Sequence, residues 1–406
     1  MPRTLRLLAD TQFRRWYLAR SISVAGTAAT AVALPMLMYR QSGSAAQTAA
    51  ITALEALPYL LFGLFAGAAA DRLSRRRMMI GADLACAAMV SAVPVVYALG
   101  YLPSWLILAA AFGIGTGFCW FDAAAWGALA RITGRERLPE ANSLIWSTAV
   151  VLGIAVPAGA GLLAALTDPT VVLLGDAATY VVSALLIGRL SGLEAGAQPS
   201  GIFAGIADGL RYLWRTPVIR TLTLTGFCQS LSGGGVIALL VVHADHMLGV
   251  SATSSRIGLL YASAAAGGLA AALLLPALGR WIGQGPVSVV GYALFAVALC
   301  ALAATHQYVA ALALWAVWQF AGSLAITNGI TLRQQLTPDH LQGRVNTTGR
   351  MIAWGGTPFG ALIGGAIAES AGVRAAYLTL VVPAALGIVA LLASPVLRLR
   401  TAVETT

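Results

Sequence analysis

Lysine is absent from this chain and acids are scarce: its 406 residues hold 25 arginines, 15 acidic residues and 4 histidines. Charged residues make up 10% of the sequence and apolar ones 59%, which leaves too few charges to cover a water-soluble domain of this size. The composition is that of a membrane protein, with the lipid bilayer as its main partner. A net charge of +10 would suggest nucleic acid in a soluble domain. Here the arginines stand in short clusters between long apolar runs, the pattern of loop charges, and no nucleic-acid partner is expected.

Cysteine is nearly missing too. Cys86, Cys119, Cys228 and Cys300 stand singly inside apolar runs, which argues against a disulfide framework or a cysteine metal centre. The chain has no phosphate-cradling Walker loop, no serine elbow and no paired-histidine zinc motif, so ATP drive and enzyme chemistry are not expected. The GIGTG at 113–117 lies inside an apolar run with no strand before it, so it is not a dinucleotide loop. The N-terminal MPRTLRLLADTQFRRWYLAR has no short apolar core with a small-residue cleavage site, so no removed signal peptide is expected.

What the sequence does contain is apolar runs long enough to cross a bilayer, which takes about 20 helical residues. Twelve are legible, near 16–38, 46–69, 78–98, 104–128, 141–165, 170–188, 218–241, 256–278, 286–304, 308–330, 345–367 and 373–394. The arginines test the count. With the N-terminus inside, only Arg40, Arg256 and Arg374 fall in outer loops and Arg20 and Arg350 within spans, and all the other arginines fall in inner segments. The expectation is an all-α protein of twelve transmembrane helices in the inner membrane, with both termini cytoplasmic.

The two halves look duplicated. Asp71-Arg72 is matched by Gly279-Arg280, Pro157 by Pro358, and Arg14 by Arg220. Residues 1–190 and 218–406 would be six-helix halves, joined by a cytoplasmic linker at 191–217. In that linker Phe203, Ile206, Leu210 and Leu213 share one helical face, which suits an amphipathic helix on the inner membrane surface. Two such repeats form a transporter architecture that works by alternating access.

AGAAADRLSRRRM, residues 66–78, places one acid and four arginines inside seven positions. It resembles the loop motif between helices two and three of the major facilitator superfamily: Gly67, then Asp71-Arg72, then basic Arg75 and Arg76. Ser74 stands where that family usually has glycine, and Ala69 where it usually has leucine. ALPYLLFGLFAGAAADRLSRRRM, RERLPEANSLIW, GLRYLWRTPVIR and LQGRVNTTGRMIAWGGTPFGALIGG are similar to the drug and siderophore exporter branch, which includes enterobactin-exporter-like and macrolide-efflux-like proteins. The resemblance implies that Asp71 meets the start of span eleven and closes an inner gate. The plainer alternative is a topology anchor, since cationic loops are drawn to anionic lipid.

Ionisable groups inside spans are costly in hydrocarbon, so each one marks a cavity or a partner. Proton antiport needs a carboxylate that can gain and lose a proton, and Asp122 and Glu55 are the candidates, with Arg20 as a possible counter-charge. The alternative for Arg20, Asp83 and Arg350 is a set of inner-face ion pairs. The alternative for Asp176 is a helix start facing outer water. Glu369 and Arg374 suit a surface pair, and His243, Asp245 and His246, which could bind a metal, better suit a wet loop end.

GIAVPAGAG, residues 153–161, resembles the superfamily's antiporter signature. Pro157 and Gly161 are kept, while Val156 and Ala160 replace glycines. Gly233, Gly234 and Gly235 would let span seven flex. Trp120, Phe121, Trp146, Trp318 and Trp354 could line a cavity for a partly apolar small molecule, or simply pack. These features describe a monomeric secondary transporter, a proton-coupled exporter of a drug-like or secondary-metabolite molecule that uses a proton gradient and no cofactor. An importer on the same fold and a transport-inactive sensor or scaffold remain the alternatives.

Overall fold

A computed structural model describes residues 7–134, 136–193, 210–338 and 342–399. Among the described residues the secondary structure is helical throughout. The helices are α1 (Thr11–Ser42), α2 (Ala45–Arg72), α3 (Arg75–Ala98), α4 (Ser104–Thr133), α5 (Leu138–Leu166), α6 (Pro169–Gly188), α7 (Pro217–Ala238), α8 (Leu240–Leu248), α9 (Arg256–Ile282), α10 (Gln284–Ala304), α11 (Tyr308–Leu336), α12 (Gln342–Trp354), α13 (Gly356–Ala371) and α14 (Val373–Leu392). Among the described residues eleven spans are long and apolar enough to cross a membrane, and α7 with α8, bent by 56°, brings the number to twelve if the pair is one span.

Local chemistry sets the helix ends. Asp10 caps α1, accepting from the backbone N–H groups of Gln12 at 2.8 Å and Phe13 at 3.1 Å. The same helix stops at Gly43, whose φ of 61° returns its N–H to the Tyr39 carbonyl. Asp168 caps α6 through the Thr170 N–H at 2.9 Å, with Pro169 at the first helical position. Ser74 caps α3 by accepting from the Arg77 N–H, which gives the serine in the loop motif a reason of its own. Each such cap is worth about 1 kcal/mol.

The chain divides into two compact units. One comprises the described parts of Met1–Gly43, Leu54–Pro199 and Thr253–Ala262, and the other those of Ser44–Ala53, Ser200–Ala252 and Ser263–Thr406. In the first unit α1 packs on α4, α5 and α6, and α3 on α4 and α6. In the second unit α7 packs on α11, on α12 with α13, and on α14, while α10 packs on α11 and α14. Span for span this is one pattern used twice, the physical counterpart of the sequence duplication.

Two short pieces exchange partners. In the first unit a Cβ on Gly161 of α5 would stand 2.7 Å from Gly258 Cα of α9, so only glycine allows that approach. In the second unit the start of α2 is held by Glu369, which accepts from the Ser44 hydroxyl at 3.1 Å and the Ala46 N–H at 3.2 Å. Glu369 is therefore a helix-start acceptor, and no ion pair with Arg374 forms among the described residues.

Three sequence expectations change. Span seven breaks at Leu239, not at its glycines: Gly234 and Gly235 lie in continuous helix, where Cβ atoms would meet the Thr357 and Gly360 carbonyls at 2.6 and 2.5 Å. The deflection buries Leu240, Val241, Val242, His243 and Ala244 completely. His243 is thus no wet loop end. It packs between Trp315 and Tyr377, with Nε2 at 3.2 Å from the Leu302 carbonyl. In the linker, Phe203 and Ile206 lie outside the described residues. Residues 210–215 are helical, and Leu213 is buried against Ile219 and Val345 instead of facing lipid.

Candidate transport site: a buried charged seam in the first unit

Polar residues on α1 recur at helical spacing: Arg20, Ser23, Thr27 and Thr30. On α6, Asp176, Thr179, Tyr180 and Ser183 do the same, and the period places each set on one face. The two stripes meet where α1 packs on α6. The Tyr180 and Thr27 hydroxyls lie 3.0 Å apart, Thr30 donates to Asp176 Oδ2, and Thr179 donates to Asp176 Oδ1 at 3.1 Å. Asp176 is 1% exposed, so the structure replaces the water-facing reading with a buried, hydrogen-bonded carboxylate.

Arg20 and Asp122 meet at 2.9 Å, with both side chains largely buried. Trp126, one turn on from Asp122, donates its indole N–H to the same carboxylate oxygen at 3.0 Å. The Arg20 guanidinium lies 5.1 Å from the Trp126 ring centre and 6.0 Å from that of Trp16, which adds cation–π attraction on its faces. Arg20 therefore locks onto Asp122 and not onto Asp83, contrary to an inner-face lock between those two residues. A desolvated pair of this kind is weak evidence for stability by itself, but losing one partner leaves an uncompensated charge.

Asp83 on α3 is 2% exposed; the Ser183 hydroxyl of α6 stands against its carboxyl, and its Oδ2 makes no well-formed hydrogen bond among the described residues. With Arg20, Phe118, Phe121 and Tyr180 it lines a cavity of about 260 Å³. Asp176 lies within electrostatic reach of both Asp83 and Glu55. Glu55 sits on α2 where Gly115 of α4 closes on its backbone: a Cβ there would come within 2.2 Å of the Glu55 carbonyl oxygen. First-unit elements thus gather Arg20, Asp122, Glu55, Asp83 and Asp176. Asp83 and Asp176 are the members that sequence reasoning undervalued, and the periodic threonines and tyrosine of α1 and α6 were the signal for them.

The aromatic candidates separate. Phe121 is 7% exposed in the wall of the cavity, and Trp146 borders a smaller one of about 60 Å³ beside Tyr17, Arg20 and Trp126. Trp120 lines a third hollow with Met89 and Phe112. Trp354 borders a hollow of the second unit beside Arg333 and Arg350. Trp318 does none of this: it is 3% exposed, tilted against Phe295 and edge-on to Trp315 in the second unit's interior. Arg350 lies within electrostatic reach of Arg333, another cation of the second unit.

In the loop motif, Arg75 donates to the Gly127 carbonyl at 3.3 Å, pinning α3 to α4. Arg72 and Arg76 are exposed, and a Cβ on Gly67 would meet nothing within 4 Å. The Asp71 side chain lies outside the described residues. Away from the seam, Arg40 pairs with Asp168 at 2.8 Å and reaches the Tyr97 hydroxyl at 3.2 Å, fastening the ends of α1 and α3 to the start of α6. Burial works to raise the Asp168 carboxyl, but the bonds from Thr170 and Arg40 outweigh it and hold the group below its ordinary value. Among the described residues no group of three histidines, cysteines or acids could hold a metal ion.

A family model described as transmembrane secretion effector matches residues 3–405. The multidrug efflux pump Tap of Mycolicibacterium fortuitum is 30% identical over 383 residues, covering 90% of this chain and 91% of that protein. Macrolide efflux protein A of Streptococcus pyogenes is 22% identical over 293 residues, 60% of this chain and 72% of that protein. The crystal structure of the nucleoside transporter NupG matches with a TM-score of 0.76 at 11% identity, covering 95% of this chain and 98% of that chain. At that identity the likeness establishes the fold alone.

Proposed function

The chain belongs to the transmembrane secretion effector family, membrane transporters of the major facilitator fold, and from that premise we propose that it exports drug-like or secondary-metabolite small molecules against a proton gradient. The observation that carries the reading is the Arg20–Asp122 pair at 2.9 Å, with Arg20 set in the wall of an otherwise largely apolar cavity. A charge pair in hydrocarbon is costly unless it does work there. In this reading Asp122 and Arg20 part and rejoin as protons enter and leave, and Glu55 extends the proton path along α2.

The resemblance of the loop motif supports a gating role for Gly67, Asp71, Arg72, Arg75 and Arg76, and the tight contact at Gly161 supports close packing around Pro157. Export by the curated relatives, multidrug and macrolide efflux proteins, favours outward transport. The arginine pattern supports an inner-membrane protein with both termini in the cytoplasm. Its two functional halves would be 1–190 and 218–406, joined through 191–217.

Inverted membrane vesicles given an inward-acid pH gradient test this directly. Accumulation of a fluorescent drug should appear with the gradient and vanish when it is collapsed. Asp122→Asn should abolish that accumulation with normal protein levels, and wild-type transport in that variant would remove Asp122 from coupling.

A further inference from the structure

We propose that Asp83 is the substrate carboxylate of the first unit, a single group for which a lipophilic organic cation and a proton compete. The inference rests on the export reading above but not on Asp122. Asp83 is almost wholly buried, its carboxyl faces the Ser183 hydroxyl but no cation, and it lines the cavity of about 260 Å³. A carboxylate in such a place needs a compensating partner, either a proton or a cation.

The groups around Asp83 supply no free cation. Arg20 on α1 shares the cavity but is bound to Asp122 of α4 and flanked by two tryptophan rings. From α6 the neighbours are Asp176, Tyr180 and Ser183, and on its own helix Cys86. Two acids and neutral side chains make the site attractive to positive charge. Phe118, Phe121 and Tyr180 in the same wall offer aromatic surface, on which an organic cation is held by ring faces as well as by the carboxylate.

The volume is just below that of drug-sized pockets, so it takes the charged end of a larger molecule. When the cation binds, the proton on Asp83 leaves, and when a proton returns the cation is released. Exchange at this carboxylate ties release of the cation to arrival of a proton inside the cavity, alongside the proton path through Asp122. The same carboxylate would also discriminate against anions.

Purified wild-type protein in detergent tests this with ethidium, whose charge is fixed, so that any proton released comes from the protein. About one proton should leave per ethidium bound. Asp83→Asn should end that release and weaken ethidium binding by about tenfold or more, while the neutral probe N-phenylnaphthylamine binds as before, which also reports that the variant is folded. Arg40→Ala, which breaks the ion pair at the helix ends away from the cavity, should keep both properties. Proton release by Asp83→Asn, or equal losses for both probes, overturns the assignment. Silence of the wild type in this assay, with gradient-driven accumulation intact, overturns exchange at Asp83 while leaving proton-driven export standing. A second test needs no variant: dicyclohexylcarbodiimide should label Asp83 in the wild type, as mapped by mass spectrometry, and ethidium should block the label. Absence of labelling, or labelling that ethidium leaves unchanged, also overturns the proposal.

Discussion

Between α1, α3, α4 and α6 the first unit buries Asp83, Asp122 and Asp176, with Arg20 paired to Asp122 and set beside Asp83 in the wall of a cavity. The matching helices of the second unit bury no acid. Gln229 of α7 donates to the Gly322 carbonyl at 2.6 Å, Ser232 to that of Leu380 at 2.6 Å, and Asn328 of α11 to Ser288 at 2.8 Å. Nearby, Phe295, Trp315, Trp318, His243 and Tyr377 pack ring against ring in edge-on and tilted contacts. Neutral donors bonded to backbone carbonyls stay satisfied at any pH, whereas carboxylates without a cation do not. One repeat buries carboxylates and the other buries rings, neutral donors and the cation Arg333, so duplication of the fold is not duplication of the chemistry.

The largest test of that contrast is Arg20→Met. It leaves Asp122 buried without its cation, a loss of about 3–5 kcal/mol, and transport should disappear. Asp122→Leu added to Arg20→Met should restore the thermal unfolding midpoint in detergent without restoring transport, because packing is repaired and the charge is not. Efflux by the double variant would show that the first unit's charges are structural, and the contrast would fail.

Trp318→Ala examines the other side. Removing a fully packed indole should cost about 3–5 kcal/mol, read as a lowered unfolding midpoint. Ethidium affinity per folded molecule should stay within about twofold, because the ring faces Phe295 and Trp315 and not the first unit's cavity. Unchanged stability with lost binding would return Trp318 to the substrate wall and erase the difference between the units.

Much of this architecture was legible in the sequence because bilayer physics is one-dimensional. Apolar run length and arginine side identify spans without tertiary knowledge, and all twelve expected runs are helical. The seam was half legible. Arg20 and Asp122 stood out as charges within apolar runs, but their partnership is a contact across 102 residues, which no local pattern encodes. Asp83 looked like an edge residue, because its distance from the basic loop says little about its depth once α3 packs against α4 and α6. His243 was misplaced for a related reason: a straight helix would leave it outside, and the bend at Leu239 turns it inward.

A smaller effect is expected at Gly161, where the two-unit contrast does not apply but the fit of small residues does. Gly161→Ala places a methyl 2.7 Å from Gly258 Cα, and backbone against backbone has little room to yield. The cost should be roughly 1–3 kcal/mol, seen as a lowered unfolding midpoint. Gly258→Ala should cost a similar amount and the pair together less than the sum, since the first shift makes room for the second.

The smallest effect belongs to the Arg40–Asp168 pair, the first unit's other ion pair, and it separates buried charge from half-exposed charge. Its side chains are 30% and 25% exposed, so solvent screens it, and Arg40→Ala should cost no more than about 1 kcal/mol. The pH dependence has a definite sign. Asp168 is held below its ordinary value in the folded protein, because the bonds from Thr170 and Arg40 outweigh the opposing effect of burial. It therefore adds stability above the unfolded carboxylate range, and that increment disappears as pH falls through the folded value. Unfolding midpoints of wild type and Arg40→Ala should differ near neutral pH and converge in acid. Transport should be the same in both, because this pair sits at helix ends, while the one at Arg20 reaches the cavity wall. If Arg40→Ala lost gradient-driven efflux while keeping its midpoint, coupling would extend beyond the seam, and the division of labour drawn between the two ion pairs would have to be given up.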